Sequence, residues 1–313
     1  MNEAIWGFLG VGNMGGALVN GLLAGGVAPE RVRWCDRNPA RPGEMIALGL
    51  DQGVAEPGDL IDACDILVLG IKPSTSAAVI AEVAHRFRPG QTVVSLLAGT
   101  RLKALQSWLP EGVTAVRAMP NTPVGVGLGV IGLSLPPAVD PRVAAEVTAV
   151  LGSAGAVLAI DEAQMDALTA VAGSGPAFVF RTIAAMESAA EQLGLEPHLA
   201  EVLVRQTVVG GLGVLSQASE SPAELARRVA SPGGTTEAGL QALDAADLTA
   251  VFTSVYTAAQ RRGRAMAGEV LPPTHADLAR ALVARAQPAS RSAAALSGAQ
   301  KSDALEAAAQ ALE

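Results

Sequence analysis

The sequence predicts an α/β chain with a doubly wound sheet in its first half and an all-helical second half. Two observations carry that expectation. Short, continuous Val/Ile/Leu runs alternate with Ala-rich helical stretches up to about residue 160, which is the pattern of parallel strands buried on both faces. From Asp161 onward the rhythm changes to long Ala/Leu-rich helical segments, with no strand-like run of comparable length.

Taken in order, strands are expected at Ala4 to Leu9, Val32 to Cys35, Asp65 to Gly70, Thr92 to Leu97, Thr114 to Arg117, Val130 to Leu133 and Val157 to Ile160. Pro110, Pro120, Pro123 and Pro136 punctuate the later part, and Asp140-Pro141 reads as an N-cap followed by a first-turn proline. Helices are expected at Asp161 to Ala172, Pro176 to Leu193, Pro197 to Ser216 and Asp247 to Ala267. The segment Gln206 to Gly213 is apolar or small on nearly every side. A helix apolar all round is normally buried, and in a domain of this size a second copy of the chain is the readiest cover. The expected organisation is residues 1–161 as a dinucleotide-binding domain, 162–270 as a helical dimerisation and substrate-binding domain, and 271–313 as a helical or disordered tail without assigned function.

Composition sets limits on function. The 313 residues carry 22 Lys+Arg against 30 Asp+Glu, a net charge of −8, and only 3% are aromatic. An acidic chain without a basic run or interleaved aromatics lacks what a nucleic acid partner requires. Two cysteines, Cys35 and Cys64, cannot make a disulfide framework or a four-ligand metal site. No His/Asp/Glu cluster stands at ligand spacing, so no metal is expected. No Lys or Arg precedes Arg31, and glycines interrupt the apolar start, unlike a signal sequence. The longest apolar run considered, Val124 to Leu135, is short and broken by glycine, so no membrane span is expected. These features lead to the expectation of a soluble, cytoplasmic protein.

The first chemical motif is Gly10-Val11-Gly12-Asn13-Met14-Gly15, placed between the first strand and the helical pattern reaching Ala24. In such a GxGxxG the first glycine permits the turn, the second lets a pyrophosphate approach the backbone, and the third lets helix and strand pack closely. The phosphates would sit on free N–H groups of the helix N-terminus. The expected fold is therefore Rossmann-like. An acidic residue ending the second strand holds the adenine ribose of NAD, and Asp36 has that place; Arg37, next to it, is of the type that receives the 2′-phosphate of NADP. Both readings stay open, and the expected cofactor is NADPH or NADH.

Lys72 and Pro73 end the buried run that starts at Asp65. Carboxyl ends of strands face the ligand crevice in open α/β sheets, which puts Lys72 near the nicotinamide. Arg117 to Pro123 ends another strand in a proline-stiffened loop suited to holding Asn121 at the same crevice, where it is expected among the cofactor-binding residues with Gly10 to Gly15, Asp36, Arg37, Lys72 and Pro73. In the helical half, Gly173-Ser174-Gly175-Pro176 separates two helices. Ser231-Pro232-Gly233-Gly234-Thr235-Thr236 precedes another, where N–H groups and hydroxyls could cradle a small anion.

Several reductase chemistries lack their residues. Tyr256 is followed four positions later by Gln260, so the Tyr/Lys pair of short-chain dehydrogenases is missing. His85, His198 and His275 stand in surface or cap contexts, and after Gly175 the residue reached is Arg181 where a β-hydroxyacid dehydrogenase needs lysine. Without an evident acid, a C=N substrate fits better than C=O. An iminium already carries its proton and needs mainly a positioned hydride donor.

With these residues assembled, the chain resembles the pyrroline-5-carboxylate reductase family from about Ile5 to Arg264. The resemblance rests on Phe8 to Gly15, Ile71 to Pro73, Arg117 to Pro123, Ala172 to Ala177, Gln206-Thr207 with Gly210, and Ser231 to Gly239. Small departures are Ser74 after Lys-Pro, Ala172 where the family often has Ser, and the tail beyond Arg264. The resemblance implies NAD(P)H-dependent reduction of L-1-pyrroline-5-carboxylate to L-proline. It also implies dimers, which in the family often assemble further into decamers, with an active site completed by the partner subunit. It places Gly10 to Met14, Lys72 and Pro73 along the cofactor and Asp36-Arg37 at the adenosine ribose. Ser231, Gly234, Thr235 and Thr236 are then expected at the substrate carboxylate, with Thr236 also at the ring nitrogen; Lys72 and Thr236 are the candidate catalytic residues. The alternatives carried with this reading are a reductase of a related cyclic imine carboxylate and a non-catalytic nucleotide-binding sensor.

Overall fold

The structure is a computed structural model that describes residues 4–137, 139–269, 271, 272, 274, 277, 283 and 284. The chain divides into two compact units, Met1–Glu269 and Val270–Glu313. The expected tail helix at Ser302 to Leu312 lies outside the described residues, and the following concerns the first unit.

Its first half runs β1 (Trp6–Leu9), α1 (Asn13–Ala24), β2 (Val32–Cys35), α2 (Arg41–Ala47), α3 (Pro57–Ala63), β3 (Ile66–Leu69), α4 (Pro73–Val83), β4 (Thr92–Ser95) and α5 (Leu102–Trp108). It continues through β5 (Thr114–Pro120), β6 (Gly129–Ser134), α6 (Pro141–Gly152) and β7 (Gly155–Ala159). The seven strands form one sheet in the order β2-β1-β3-β4-β5-β6-β7. Alternate side chains serve two cores, as the two-residue strand period requires. Trp6, Phe8 and Val68 pack on one face with Leu18, Leu22 and Leu151. Leu9, Leu67 and Leu69 pack on the other with Leu60, Ile80 and Leu105. Asp140 caps α6 as expected, its Oδ1 accepting the Arg142 N–H at 2.7 Å.

Two sequence expectations need correction here. The sheet is not wholly parallel, since β5 and β6 pair antiparallel, Arg117 opposite Ser134 and Pro120 opposite Ile131. The connection between them is a single short helical turn, Thr122–Val126, and a parallel pairing needs a longer crossover. The same pairing carries β5 on to Pro120, past the expected end at Arg117.

The second half is helical: α7 (Met165–Leu168), a π-turn at Thr169–Gly173, α8 (Gly175–Gln192), α9 (Pro197–Gln217), α10 (Pro222–Arg228), α11 (Thr235–Ala245) and α12 (Leu248–Met266). The expected separation at Gly173 to Pro176 narrows to Ser174 alone, a bend between the π-turn and α8. The arm formed by α8 and α9 buries little within the chain. Only Ala200 and Val204 of α9 are buried, and no residue of α8 is. Phe180, Val209 and Leu212 are 66%, 62% and 59% exposed. By length and composition, Glu162–Gln192 and Pro197–Gln217 could each cross a membrane, so the expectation that no segment reaches span length is corrected. Averaged over a helix, scattered Ala, Gly and Val reach the apolarity that a search for unbroken runs misses.

An uncovered apolar arm of this extent calls for a partner surface. Leu212→Asp places a charge in it, and sedimentation velocity should then show a shift towards monomer at a concentration where the unchanged chain self-associates.

Candidate active site

The carboxyl ends of β1, β2 and β3 meet where the chain reverses its winding direction, which is where ligands bind in open α/β sheets. Gly10 directly follows β1 with φ +94°, and a Cβ there would stand 2.8 Å from the Gly70 carbonyl carbon. A Cβ on Gly15 would stand 2.2 Å from Gly10 O. The turn, the first helical turn of α1 and the end of β3 therefore touch through backbone alone. Around Gly12, by contrast, a Cβ would meet nothing within 4 Å. That open face over the N-terminus of α1 is the space into which a phosphate could approach amide groups.

Asp36 directly follows β2. Its Oδ2 accepts the Val11 N–H and its Oδ1 the Asn38 N–H, both at 2.8 Å. The carboxylate thus clamps the glycine turn to the loop after β2. A cavity of about 680 Å³ opens beside it, lined among others by Gly10, Gly12, Asp36, Arg37, Glu56 and Lys72. The volume is in the range of small-molecule and cofactor sites. Cys35 also lines it; burial, with Glu56 and Asp36 nearby, pushes its thiol up to about 11. The thiol is therefore neutral near pH 7.

Lys72 immediately precedes α4, with Pro73 at the first helical position. Its carbonyl accepts the hydroxyls of Thr75 and Ser76 at 3.1 and 2.9 Å, which fixes the backbone while the side chain stays exposed at the cavity. Asn121 sits elsewhere along the sheet edge and is buried. Its Oδ1 accepts the Val130 N–H at 2.8 Å and its Nδ2 donates to the Ala172 carbonyl at 3.1 Å. Arg117, also buried, donates to Glu162 Oε1 at 2.8 Å.

The segment Ser231 to Thr236 forms the turn into α11. Gly233 has φ +70°, its N–H donates to Glu237 Oε2 at 2.8 Å, and the Gly234 N–H donates to Ser231 O at 2.9 Å. Gly234 caps the helix, with Thr235 and Thr236 as its first two residues. Their N–H groups belong to the unpaired first turn. Ser231, Thr235 and Thr236 are exposed. The arrangement can receive an anion, with Glu237 holding the turn in shape.

The structure thus gathers Gly10, Gly12, Asp36, Arg37 and Lys72 around one cavity. Val11 and Asn13 line a neighbouring depression with Gly12 and Arg41, and Met14 packs against the core. Ser231, Gly234, Thr235 and Thr236 are absent from the lining of the cavity. Sequence reasoning missed Glu56, Asn38 and Thr75 in the cavity wall and Glu237 behind the 231–236 turn. For Asn38 a signal existed in Asp36-Arg37-Asn38-Pro39, since an Asn before Pro favours a turn.

Asp36→Ala removes the shared acceptor of two amide groups. Loss of about 1–3 kcal/mol is expected where partners are left unpaired, read as a lower midpoint in thermal or urea unfolding together with weaker dinucleotide binding.

Comparison with known proteins places this geometry. A model described as pyrroline-5-carboxylate reductase dimerisation matches residues 162–266, and one described as NADP oxidoreductase, coenzyme F420-dependent, matches residues 5–99. The pyrroline-5-carboxylate reductase of Pseudomonas aeruginosa is 35% identical over 264 residues, covering 84% of this chain and 97% of that protein. Pyrroline-5-carboxylate reductase 2 of Bacillus subtilis is 34% identical over 239 residues, covering 76% and 86%. Among solved structures, a pyrroline-5-carboxylate reductase from Coxiella burnetii aligns with a TM-score of 0.79 at 32% identity, covering 85% of this chain and 99% of that one. The Plasmodium falciparum pyrroline carboxylate reductase with NADP bound aligns with a TM-score of 0.76 at 26% identity and the same coverage. With relatives matched over nearly their whole length, and with the dinucleotide edge and the helical arm both accounted for, the chain belongs to the pyrroline-5-carboxylate reductase family.

Proposed function

We propose that the protein reduces L-1-pyrroline-5-carboxylate to L-proline, using NADPH or NADH. The observation that carries this reading is the pairing, in one chain of this family, of a glycine-turn cavity with an anion-receiving turn at Ser231 to Thr236. The glycine turn fits a dinucleotide because the face over Gly12 is open. Gly10 to Met14 would hold the pyrophosphate, Asp36 and Arg37 would meet the adenosine ribose, and Lys72 and Pro73 would border the dinucleotide along the edge of the sheet.

A bound reduced nicotinamide supplies the hydride. The substrate brings an iminium, so the chain needs to orient the ring rather than protonate an oxygen. Ser231, Gly234, Thr235 and Thr236 bind the carboxylate through hydroxyls and first-turn amides. Thr236 also hydrogen-bonds the ring nitrogen, and Lys72 adds a positive charge on the cavity side. The 231–236 turn does not line the cavity of its own chain; in this reading a second copy, joined through the dimerisation domain, supplies that turn to each site. The exposed arm of α8 and α9 is the surface through which the two chains join, with higher assembly to a decamer built on that dimer. The reducing cytoplasm suits the free, buried thiols of Cys35 and Cys64.

Turnover is tested by loss of reduced-nicotinamide absorbance with pyrroline-5-carboxylate, and with piperideine-2-carboxylate for comparison. Turnover on the first substrate, falling at least tenfold in Thr236→Ala with a raised KM, is the expected result. Preference for the second substrate would redirect the assignment to a related cyclic imine. Dinucleotide binding without turnover on either would leave a sensor.

A further inference from the structure

Asn121 contributes both its polar atoms to a junction between the sheet and the helical half. The last residues of β5 alternate in the usual way, so Arg117, Met119 and Asn121 share a face, the extended backbone continuing through Asn121 at φ −119° and ψ 167°. All three meet the start of the helical half. Arg117 bonds Glu162, Met119 Cε lies 3.2 Å from where a Cβ on Gly173 would stand, and Asn121 bonds the Ala172 carbonyl.

The helix at this point is not regular. Ser174 donates its N–H to Thr169 O at 2.8 Å, a five-residue step, and the Thr169 hydroxyl donates to Met165 O at 2.7 Å. In an α-helix the carbonyl of Ala172 would receive the N–H of residue 176, and residue 176 is proline, which has none. Asn121 Nδ2 donates to that carbonyl in its place. A half-buried carbonyl without a donor is costly, so the side chain and the proline belong to one arrangement.

We propose that Asn121 is a positioning residue: it supplies the hydrogen bond that Pro176 cannot, and so sets the direction in which α8 leaves the sheet. This rests on the reductase reading above, because α8 belongs to the arm that brings the second copy and its 231–236 turn to the cavity. Asn121 is not among the residues lining the cavity around Gly12 and Lys72. Its loss should therefore impair turnover and leave dinucleotide affinity nearly unchanged.

The test uses the full-length protein as Asn121→Ala, Pro176→Ala and the double variant, with kcat, KM, NADPH affinity by fluorescence and hydrogen exchange of the peptide spanning 169–178. Asn121→Ala is expected to lower kcat at least tenfold, change NADPH affinity less than threefold and accelerate exchange. Pro176→Ala in that background restores an N–H to the Ala172 carbonyl and should recover at least a third of kcat and slow the exchange again. A double variant no better than Asn121→Ala would overturn the proposal, as would loss of NADPH affinity in step with kcat. Should Asn121→Ala not fold, Asn121→Asp keeps the acceptor for Val130. Its kcat should rise relative to the unchanged enzyme as pH falls, when a protonated carboxyl regains the donor, and a flat ratio would overturn the proposal. No turnover by the unchanged chain would count against the reductase reading alone, with the exchange arm still deciding the Asn121 link.

Discussion

The close backbone contact between Gly10, Gly15 and Gly70 is the constraint on which the dinucleotide edge depends. Any side chain at these positions would force β1, β3 and α1 apart, and the cavity exists because they are together. The contact also extends the sheet ladder past the strand ends, with the Gly10 N–H donating to Cys35 O at 2.8 Å and the Gly70 N–H to Leu9 O at 2.9 Å. Asp36 then ties the turn to β2 from the side. Its carboxylate therefore helps build the edge in addition to any contact with a ribose.

A second constraint acts on the other half of the chain. The α8–α9 arm carries more apolar surface than its own chain covers, so its stability is bound up with association. In obligate homodimers folding and assembly are not separable. The junction at the end of β5 gives this arm a fixed origin, through Arg117 with Glu162 and Asn121 with Ala172. Glu162 Oε1 there accepts from both Arg117, at 2.8 Å, and the Leu102 N–H, at 3.2 Å. A buried ion pair is weak evidence of net stability, because desolvation offsets its attraction.

Much of this was legible in the sequence, because the features concerned are local. Short, mainly apolar runs marked all seven strands, the glycine spacing marked the turn, and Asp140-Pro141 marked a helix start. The antiparallel β6 was not legible, since the direction of a strand depends on the connection before it rather than on its own residues. Nor was the double use of Asp36 and Asn121. Each was read as facing a ligand, while the structure shows their atoms also engaged by Val11, Asn38, Val130 and Ala172. Pairings across 25 and 51 positions leave no mark in spacing. Pro176 was the one local clue, a proline where a helix carbonyl would need its N–H.

The central claim is that cavity and anion turn belong to different chains of one dimer, and subunit mixing tests it most directly. Gly12→Glu blocks the glycine turn at a position with open space, and Thr236→Ala disables the other part. If each site draws on both chains, unfolding and reassembling the two variants together should give about a quarter of normal activity, since half the dimers are mixed and each then holds one intact site. Activity of the mixture no greater than the mean of the two separate variants would contradict the account.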